Sequence, residues 1–198
     1  MDRTKLLILT ALRMEAKALS ATVADVRIIG IRAVQLQKQW CEGRSGIVLA
    51  GLAGALDPSL KIGDVIACIG HGKWPHLPFR LGEIYTADCV IANPAEKAEI
   101  FQETGALAVD MEHSIVRDLA LELDLPMVSI RAISDGSGDS LPPDLTKMVD
   151  ETGRPKLGPM LGSLSLHPMQ IPRLMQLGRQ SRVAADNLAA AVAQLLKE

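Results

Sequence analysis

The strongest constraint on the fold is a series of short apolar runs that do not alternate with polar residues. Unbroken runs of this length are typical of strands buried on both faces of a sheet. Six such runs occur, at residues 6–12, 26–31, 47–52, 65–69, 106–109 and 127–133. Helices are predicted between and after them, at residues 14–21, 34–42, 95–101, 112–124 and 171–197. The pattern predicts a single α/β domain over residues 1–198, built around a mostly parallel or mixed sheet.

The composition narrows the class of partner. The chain has 198 residues, of which 48% are hydrophobic, so it is long enough to bury a full core. Its net charge is −2 and its aromatic content is 3%, which gives no basis for nucleic-acid binding. No apolar run approaches the ~20 residues of a membrane span, so we expect no integral membrane segment.

The cysteines and histidines indicate neither a disulfide nor a metal site. Cys41, Cys68 and Cys89 are widely spaced and odd in number, which favours a reduced, cytoplasmic chain. No pair of histidines has the spacing of a metal site, so we expect no metal and no bound cofactor. His71 and His76 are expected in a surface loop, with a substrate loop as the alternative. His113 is the histidine whose position allows approach to a ligand.

A long segment after the sixth run has the composition of a loop. Gly, Ser, Pro and Asp dominate much of residues 134–170. So long a segment is rarely without a role in a compact domain, and we predict a lid or loop region there. The apolar positions of residues 171–197 fall on one face, which predicts a terminal helix packed on the sheet.

Three acidic residues follow predicted strands or begin a helix beside one. Glu15 follows the first run, Glu112 lies where a short strand turns into a helix, and Asp135 follows the sixth run. Ligands of open α/β sheets bind beyond the carboxyl ends of the strands, so these acids are candidate site residues. The alternatives are a solvated helix residue for Glu15, a helix-dipole residue for Glu112 and a turn residue for Asp135. Periodicity alone does not show that the three meet.

Three segments resemble the nucleoside phosphorylase and nucleosidase superfamily. They are GLAGALDPSLKIGDV at residues 51–65, AVDME at 108–112 and VSIRAISD at 128–135. Glu15 looks like the acid found after the first strand in methylthioadenosine/S-adenosylhomocysteine nucleosidases. The resemblance implies a shortened three-layer α/β/α fold with a mixed central sheet. It also implies cleavage of the N-ribosyl bond of an adenosine-like nucleoside carrying a 5′ substituent, by a homodimer or larger oligomer.

The resemblance implies a role for each site residue. Asp135 would face the purine, where we expect burial to keep it able to hold a proton near neutral pH, and Ser134 would orient it. Glu112 would accept the ribose hydroxyls, above an apolar surface from Met111. Glu15 would activate water or contact the ribose. The small residues Ala53 and Gly54 would line the substrate pocket, where their backbone N–H groups are accessible.

The acceptor of the ribosyl group stays open between water and phosphate. Leu49 and Leu52 stand where phosphorylases of this type often have an arginine and a hydroxyl residue, and leucine donates no hydrogen bond. Arg13, Arg32 and the backbone of Gly51 are the remaining candidates for phosphate as a co-substrate. The alternative for both arginines is a surface ion pair.

Other functions remain open at this stage. The tail, with LPP at 141–143, GRP at 153–155 and the helix from residue 170, resembles hopanoid-associated phosphorylases, which implies adenosylhopane as an alternative substrate. A second alternative is a non-catalytic nucleoside-binding module with the same pocket. A third is a flavodoxin-like regulatory domain, which predicts no nucleoside affinity.

Overall fold

The computed structural model describes residues 2–141 and 171–197. Its strands are β1 (Leu6–Thr10), β2 (Val26–Ile28), β3 (Gly46–Ala55), β4 (Val65–His71), β5 (Arg80–Leu81), β6 (Ile84–Thr86), β7 (Ala108–Asp110) and β8 (Met127–Asp135). Its α-helices are α1 (Arg13–Leu19), α2 (Pro94–Thr104), α3 (His113–Glu122) and α4 (Ile171–Lys197). Short 3₁₀ helices span Arg3–Lys5, Ile31–Ala33 and Lys38–Cys41.

The eight strands form one mixed sheet in the order β2-β1-β3-β8-β4-β5, with β7 beside the far end of β3 and β6 beside β7. The strands β2, β1, β3 and β8 run parallel, whereas β4 is antiparallel to β8 and β7 is antiparallel to β3. The carboxyl ends of β1, β3 and β8 therefore lie at one edge, which is where a ligand is expected.

Helices cover both faces of the sheet. On one face, Leu6 and Ile8 of β1 pack with Leu188 and Val192 of α4. On the other face, the next residues along β1, including Leu7, pack with α3. All five residues of β1 are buried, because a strand covered on both faces exposes neither set of side chains. The predicted three-layer α/β/α fold with a mixed central sheet is confirmed.

Several predicted elements differ from the structure. The helix predicted at residues 34–42 is wrong, because only one 3₁₀ turn forms there, at Lys38–Cys41. The backbone before it reverses direction, with positive φ at Arg32 and Ala33. Residues 26–46 thus hold one short strand, in keeping with the shortened sheet that the sequence indicates. Strands β5 and β6 were not predicted, since two or three residues give no detectable periodicity.

The terminal helix is confirmed as α4, and its contacts with α1 and β8 bring it close to the site. None of the helices in the described ranges is long and apolar enough to cross a membrane. The predicted lid or loop region lies mostly at residues 142–170, outside the described residues.

Candidate active site

A cavity of about 300 Å³ opens at the carboxyl edge of the sheet. Its walls come from the β1–α1 turn, the ends of β3 and β8, the β7–α3 turn, residues 89–91 and α4. Most of the wall is apolar. The predicted site residues that line it are Glu15, Ala53, Gly54, Met111, Glu112, Ser134 and Asp135. Three segments far apart in the chain therefore meet at one cavity.

Glu15 is held by backbone amides. It lies in the first turn of α1 and is only 2% exposed, so it is not a solvated helix residue. One carboxylate oxygen accepts a hydrogen bond from the N–H of Leu12, and the other from the N–H of Leu52, each at 2.8 Å. The carboxylate is thus fixed between the β1–α1 turn and β3, facing the cavity.

Glu112 is at the start of α3 but does not cap it. The side chain that caps α3 is that of Asp110, which accepts a hydrogen bond from the backbone N–H of His113 at 3.0 Å. Glu112 instead accepts a hydrogen bond from the backbone N–H of Arg32 at 3.0 Å, and it lines the cavity. The helix-dipole explanation therefore fits Asp110 better than Glu112.

Sequence reasoning missed Arg131 as a site residue. Its side chain is fully buried in β8 and pairs through Nη2 with Asp110, while Glu112 lies 3.6 Å from the same atom. Its Nε and Nη1 atoms have no hydrogen-bond partner within the described residues. The available signal was an arginine in the middle of an unbroken apolar run, because a buried guanidinium requires acidic partners.

Two of the acids around Arg131, Glu112 and Glu15, have raised pKa values and hold their protons more tightly than usual. Burial raises the pKa of Glu112 to about 7, with the nearby Asp110 adding to the shift and Arg131 opposing it. Burial also raises the pKa of Glu15, again against the attraction of Arg131 and of backbone hydrogen bonds. One guanidinium does not compensate for three buried carboxylates, so protonation relieves the excess negative charge.

Two glycines leave space for the buried charged side chains of the site. A Cβ on Gly51 would overlap the Arg131 guanidinium and lie 3.1 Å from Glu15 Oε1. A Cβ on Gly54 would lie 2.8 Å from Asp135 Oδ2. Both glycines lie inside β3, whereas the sequence suggested that the strand ends there. They serve close packing of the charged side chains, not a phosphate-binding loop.

Asp135 has two donors of its own. The Ser134 hydroxyl donates to Oδ1 at 2.9 Å, which matches the orienting role expected for that serine. The Lys97 ammonium donates to Oδ2 at 2.6 Å. Both contacts are hydrogen bonds from a side-chain donor to a carboxylate oxygen, and the one from Lys97 is also an ion pair. Lys97 was not identified from the sequence, because nothing in a helical pattern distinguishes a buried lysine from an exposed one.

The candidate phosphate residues do not meet at the cavity. The side chains of Arg13 and Arg32 are exposed, and Arg32 pairs with Asp88 at 3.0 Å, as the surface alternative predicted. Neither arginine is part of the cavity wall, and Gly51 lies behind it. For Arg13 the physical reason is the geometry of α1, because residues two positions apart on a helix do not share a face, and Glu15 occupies the buried one.

Within the part of the chain that the structure describes, His71, His76 and His113 lie outside the cavity wall. His71 contacts Asp124 at 3.2 Å on the surface, and His76 is exposed. His113 is buried, with Ser129 Oγ 2.7 Å from its Nδ1, and burial lowers its pKa. Within residues 2–141 and 171–197, His, Cys, Asp and Glu side chains form no group of three suited to a metal ion.

Comparisons with known proteins agree with this geometry. A family model described as the phosphorylase superfamily matches residues 67–156. No curated protein matches the sequence. The fold is similar to that of a futalosine hydrolase of Helicobacter pylori, at 16% identity and a TM-score of 0.66, over 97% of each chain.

Nucleosidase structures align equally well. A putative 5′-methylthioadenosine/S-adenosylhomocysteine nucleosidase from Francisella philomiragia is 18% identical, with a TM-score of 0.66 over 98% of each chain. The same type of nucleosidase from Neisseria meningitidis, solved with methylthio-immucillin-A, is 19% identical. Its TM-score is 0.65, over 97% of this chain and 98% of that one. The predicted resemblance is thus confirmed to this extent: residues 67–156 match the phosphorylase superfamily in sequence, and nearly the whole chain is similar in fold to these hydrolase and nucleosidase structures.

Proposed function

We propose that the protein hydrolyses the N-ribosyl bond of an adenosine-like nucleoside and releases adenine. The observation that carries this proposal is the convergence of Glu15, Glu112 and Asp135 on one cavity. Its volume of about 300 Å³ is at the lower end of the range for small-molecule sites, and its walls combine apolar surface with a few fixed polar groups.

Glu112 and Met111 suit the ribose. An ionised Glu112 offers acceptors for the 2′- and 3′-hydroxyls, and Met111 adds apolar surface beside it. Cleavage of an N-glycosidic bond builds positive charge on the sugar. Carboxylates placed near that charge stabilise the transition state more than the neutral substrate, which is what catalysis requires.

Glu15 suits a water nucleophile. It lines the cavity, and hydrogen bonds from two backbone N–H groups fix its carboxylate there. A water molecule in the cavity would donate a hydrogen bond to Glu15. The raised pKa of Glu15, which burial causes, makes this carboxylate a stronger base for the proton that water loses on attack.

The charges near the ribose disfavour phosphate. Asp110, Glu112 and Glu15 surround Arg131, which is already paired. An incoming phosphate would meet an excess of negative charge, and the exposed Arg13 and Arg32 do not offset it from their positions. This balance favours water over phosphate as the acceptor.

The 5′ substituent is proposed to be apolar. The cavity wall includes Met14, Ile31 and Leu177, which match a methylthio group or a larger hydrocarbon. The same apolar wall is the observation that keeps an adenosylhopane-like nucleoside as a second candidate substrate. Chromatography of reactions with each nucleoside would separate the two, since the preferred substrate has the higher kcat/KM.

Turnover with and without phosphate tests the proposal. Methylthioadenosine, S-adenosylhomocysteine, adenosine and inosine are incubated with the enzyme, and free base is measured by chromatography. We expect adenine and free sugar at equal rates in both buffers, and a loss on the order of 10²-fold or more in Glu15→Gln. The exposed Glu99→Gln is the matched control and should keep full activity.

Two outcomes would contradict hydrolysis. Base release that requires phosphate, with ribose 1-phosphate as product, would identify a phosphorylase. Tight nucleoside binding without any base release, unchanged by Glu15→Gln, would identify the non-catalytic binding module.

A further inference from the structure

Lys97 is an anomaly in the structure, because its side chain is completely buried. A buried ammonium is costly unless it is paired and fully hydrogen-bonded. It also lies in the first turn of α2, where the helix dipole disfavours a positive charge. The position of Lys97 therefore does not serve α2, and its partners must account for it.

Those partners are at the end of the cavity that is proposed to hold the purine base. Lys97 Nζ donates to Asp135 Oδ2 at 2.6 Å and to the carbonyl oxygen of Gly136 at 2.8 Å. Asp135 lines the cavity, whereas Lys97 lies behind it. A bound nucleoside would thus contact Lys97 only through Asp135.

We propose that Lys97 is a positioning residue that holds Asp135 as a carboxylate and supplies, through it, the proton that the departing adenine takes up. This inference rests on the proposed function. Asp135 in the carboxylate form accepts the 6-amino N–H of adenine and repels the acceptor oxygen of a 6-oxopurine. Asp135 therefore recognises adenine before the N-ribosyl bond breaks, but as a carboxylate it has no proton to donate.

The proton comes from the ammonium group as charge builds on the base. The C1′–N9 electron pair moves to adenine, Lys97 passes a proton to Asp135, and Asp135 passes one to N7. The water oxygen forms the new bond to C1′, and the proton that it loses goes to Glu15. After release, Lys97 regains a proton from solvent and Glu15 loses one, so water and nucleoside give sugar and neutral adenine.

A substrate whose leaving group needs no proton isolates this step. 4-Nitrophenyl β-D-ribofuranoside presents the same ribosyl group to Glu15 and Glu112, but it leaves as a stable phenolate. We expect Lys97→Met to lower kcat for the preferred adenine nucleoside on the order of 10²-fold and to change nitrophenol release less than about threefold. Glu15→Gln should lower both rates, because both reactions need the water.

Two further variants separate proton supply from other roles. Lys97→Arg keeps the positive charge, but a guanidinium does not give up its proton, so adenine release should again fall selectively. Asp135→Asn should match Lys97→Met, and the double variant should be no slower than either single one, because the two residues act as a unit.

Each contrary result overturns the inference in a different way. Equal loss of both activities in Lys97→Met would make the residue merely structural. Normal adenine release in Lys97→Arg would show that charge alone suffices. A wild-type protein that cleaves neither substrate would overturn the proposed function, and this inference with it.

Discussion

The two ends of the cavity hold their carboxylates in opposite ways. At the end proposed to hold the ribose, called the ribose end, Glu15, Asp110 and Glu112 surround the guanidinium of Arg131. At the end proposed to hold the base, called the base end, Asp135 accepts hydrogen bonds from the Lys97 ammonium and the Ser134 hydroxyl. The first group has more negative than positive charge, and the second is balanced.

This difference assigns different chemistry to acids of similar burial. Protonation relieves the crowded group, and burial accordingly raises the pKa values of Glu15 and Glu112. Such acids hold a proton more tightly than usual, which suits general base catalysis. A carboxylate paired one to one with an ammonium group suits recognition of further N–H donors. Counting cations per acid thus distinguishes the two ends better than burial does.

Removing each cation compares the two ends most directly. Arg131→Met should destabilise the protein by about 3–5 kcal/mol, because it leaves three buried acids unpaired. Lys97→Met should cost less, since the Asp135 side chain is 8% exposed at the cavity and that of Asp110 only 1%. Urea unfolding of both variants measures the difference. Equal losses would mean that the cavity does not solvate Asp135.

The pH dependence of stability tests the crowded end. In the folded protein Glu112 keeps its proton up to a pKa of about 7, whereas the unfolded chain loses it near 4.5. At this residue the folded state binds more protons between these values, so the contribution of Glu112 to the free energy of unfolding should fall as pH rises from about 4.5 to 7. The fall is on the order of 3 kcal/mol, to which Glu15 adds with the same sign.

Glu112→Gln should flatten that dependence, as measured by urea unfolding at several pH values. Glu99→Gln, at an exposed site on α2, is the control and should leave the slope unchanged. A pH dependence that Glu112→Gln leaves unchanged would contradict the raised pKa of Glu112.

Gly51 and Gly54 of β3 test whether the side chains at each end need the space that a glycine leaves. Gly51→Ala should displace Arg131 and Glu15, and Gly54→Ala should displace Asp135. Each should cost about 1–3 kcal/mol, as overpacked sites do. Thermal unfolding measures the loss, and Gly105, with no atom within 4 Å of an added Cβ, shows the cost of positive φ alone. A stable Gly51→Ala protein would contradict the close packing at the ribose end.

The smallest effect is expected at Cys89, which is exposed and lines the cavity. Cys41 and Cys68 are buried, and burial raises the pKa of Cys68 to about 11, so both should resist thiol reagents. Adenine should slow labelling of Cys89 several-fold, as measured with a chromogenic disulfide. Cys89→Ser should abolish the fast phase. Labelling that adenine does not affect would place the base elsewhere.

Much of this architecture was predictable from local patterns. The apolar runs predicted the main strands. Glu15, Glu112 and Asp135 were predicted as site residues because they follow those runs or begin a helix beside one. Segment 34–42 was misjudged, because it follows positive φ at Arg32 and Ala33, where the backbone N–H of Arg32 donates to the distant Glu112. Such a contact joins residues far apart in the chain and leaves no periodic signal.

What the sequence by itself determined is the sheet, its covering helices and the acids that stand at its carboxyl edge, since burial periodicity and strand ends are local properties. Only the tertiary structure decided which cation belongs to which acid. Arg131 and Lys97 come from a strand and a helix, and their roles arise from the distance between side chains brought together by folding. The charge state of a buried carboxylate depends on those distances, and sequence spacing does not contain them.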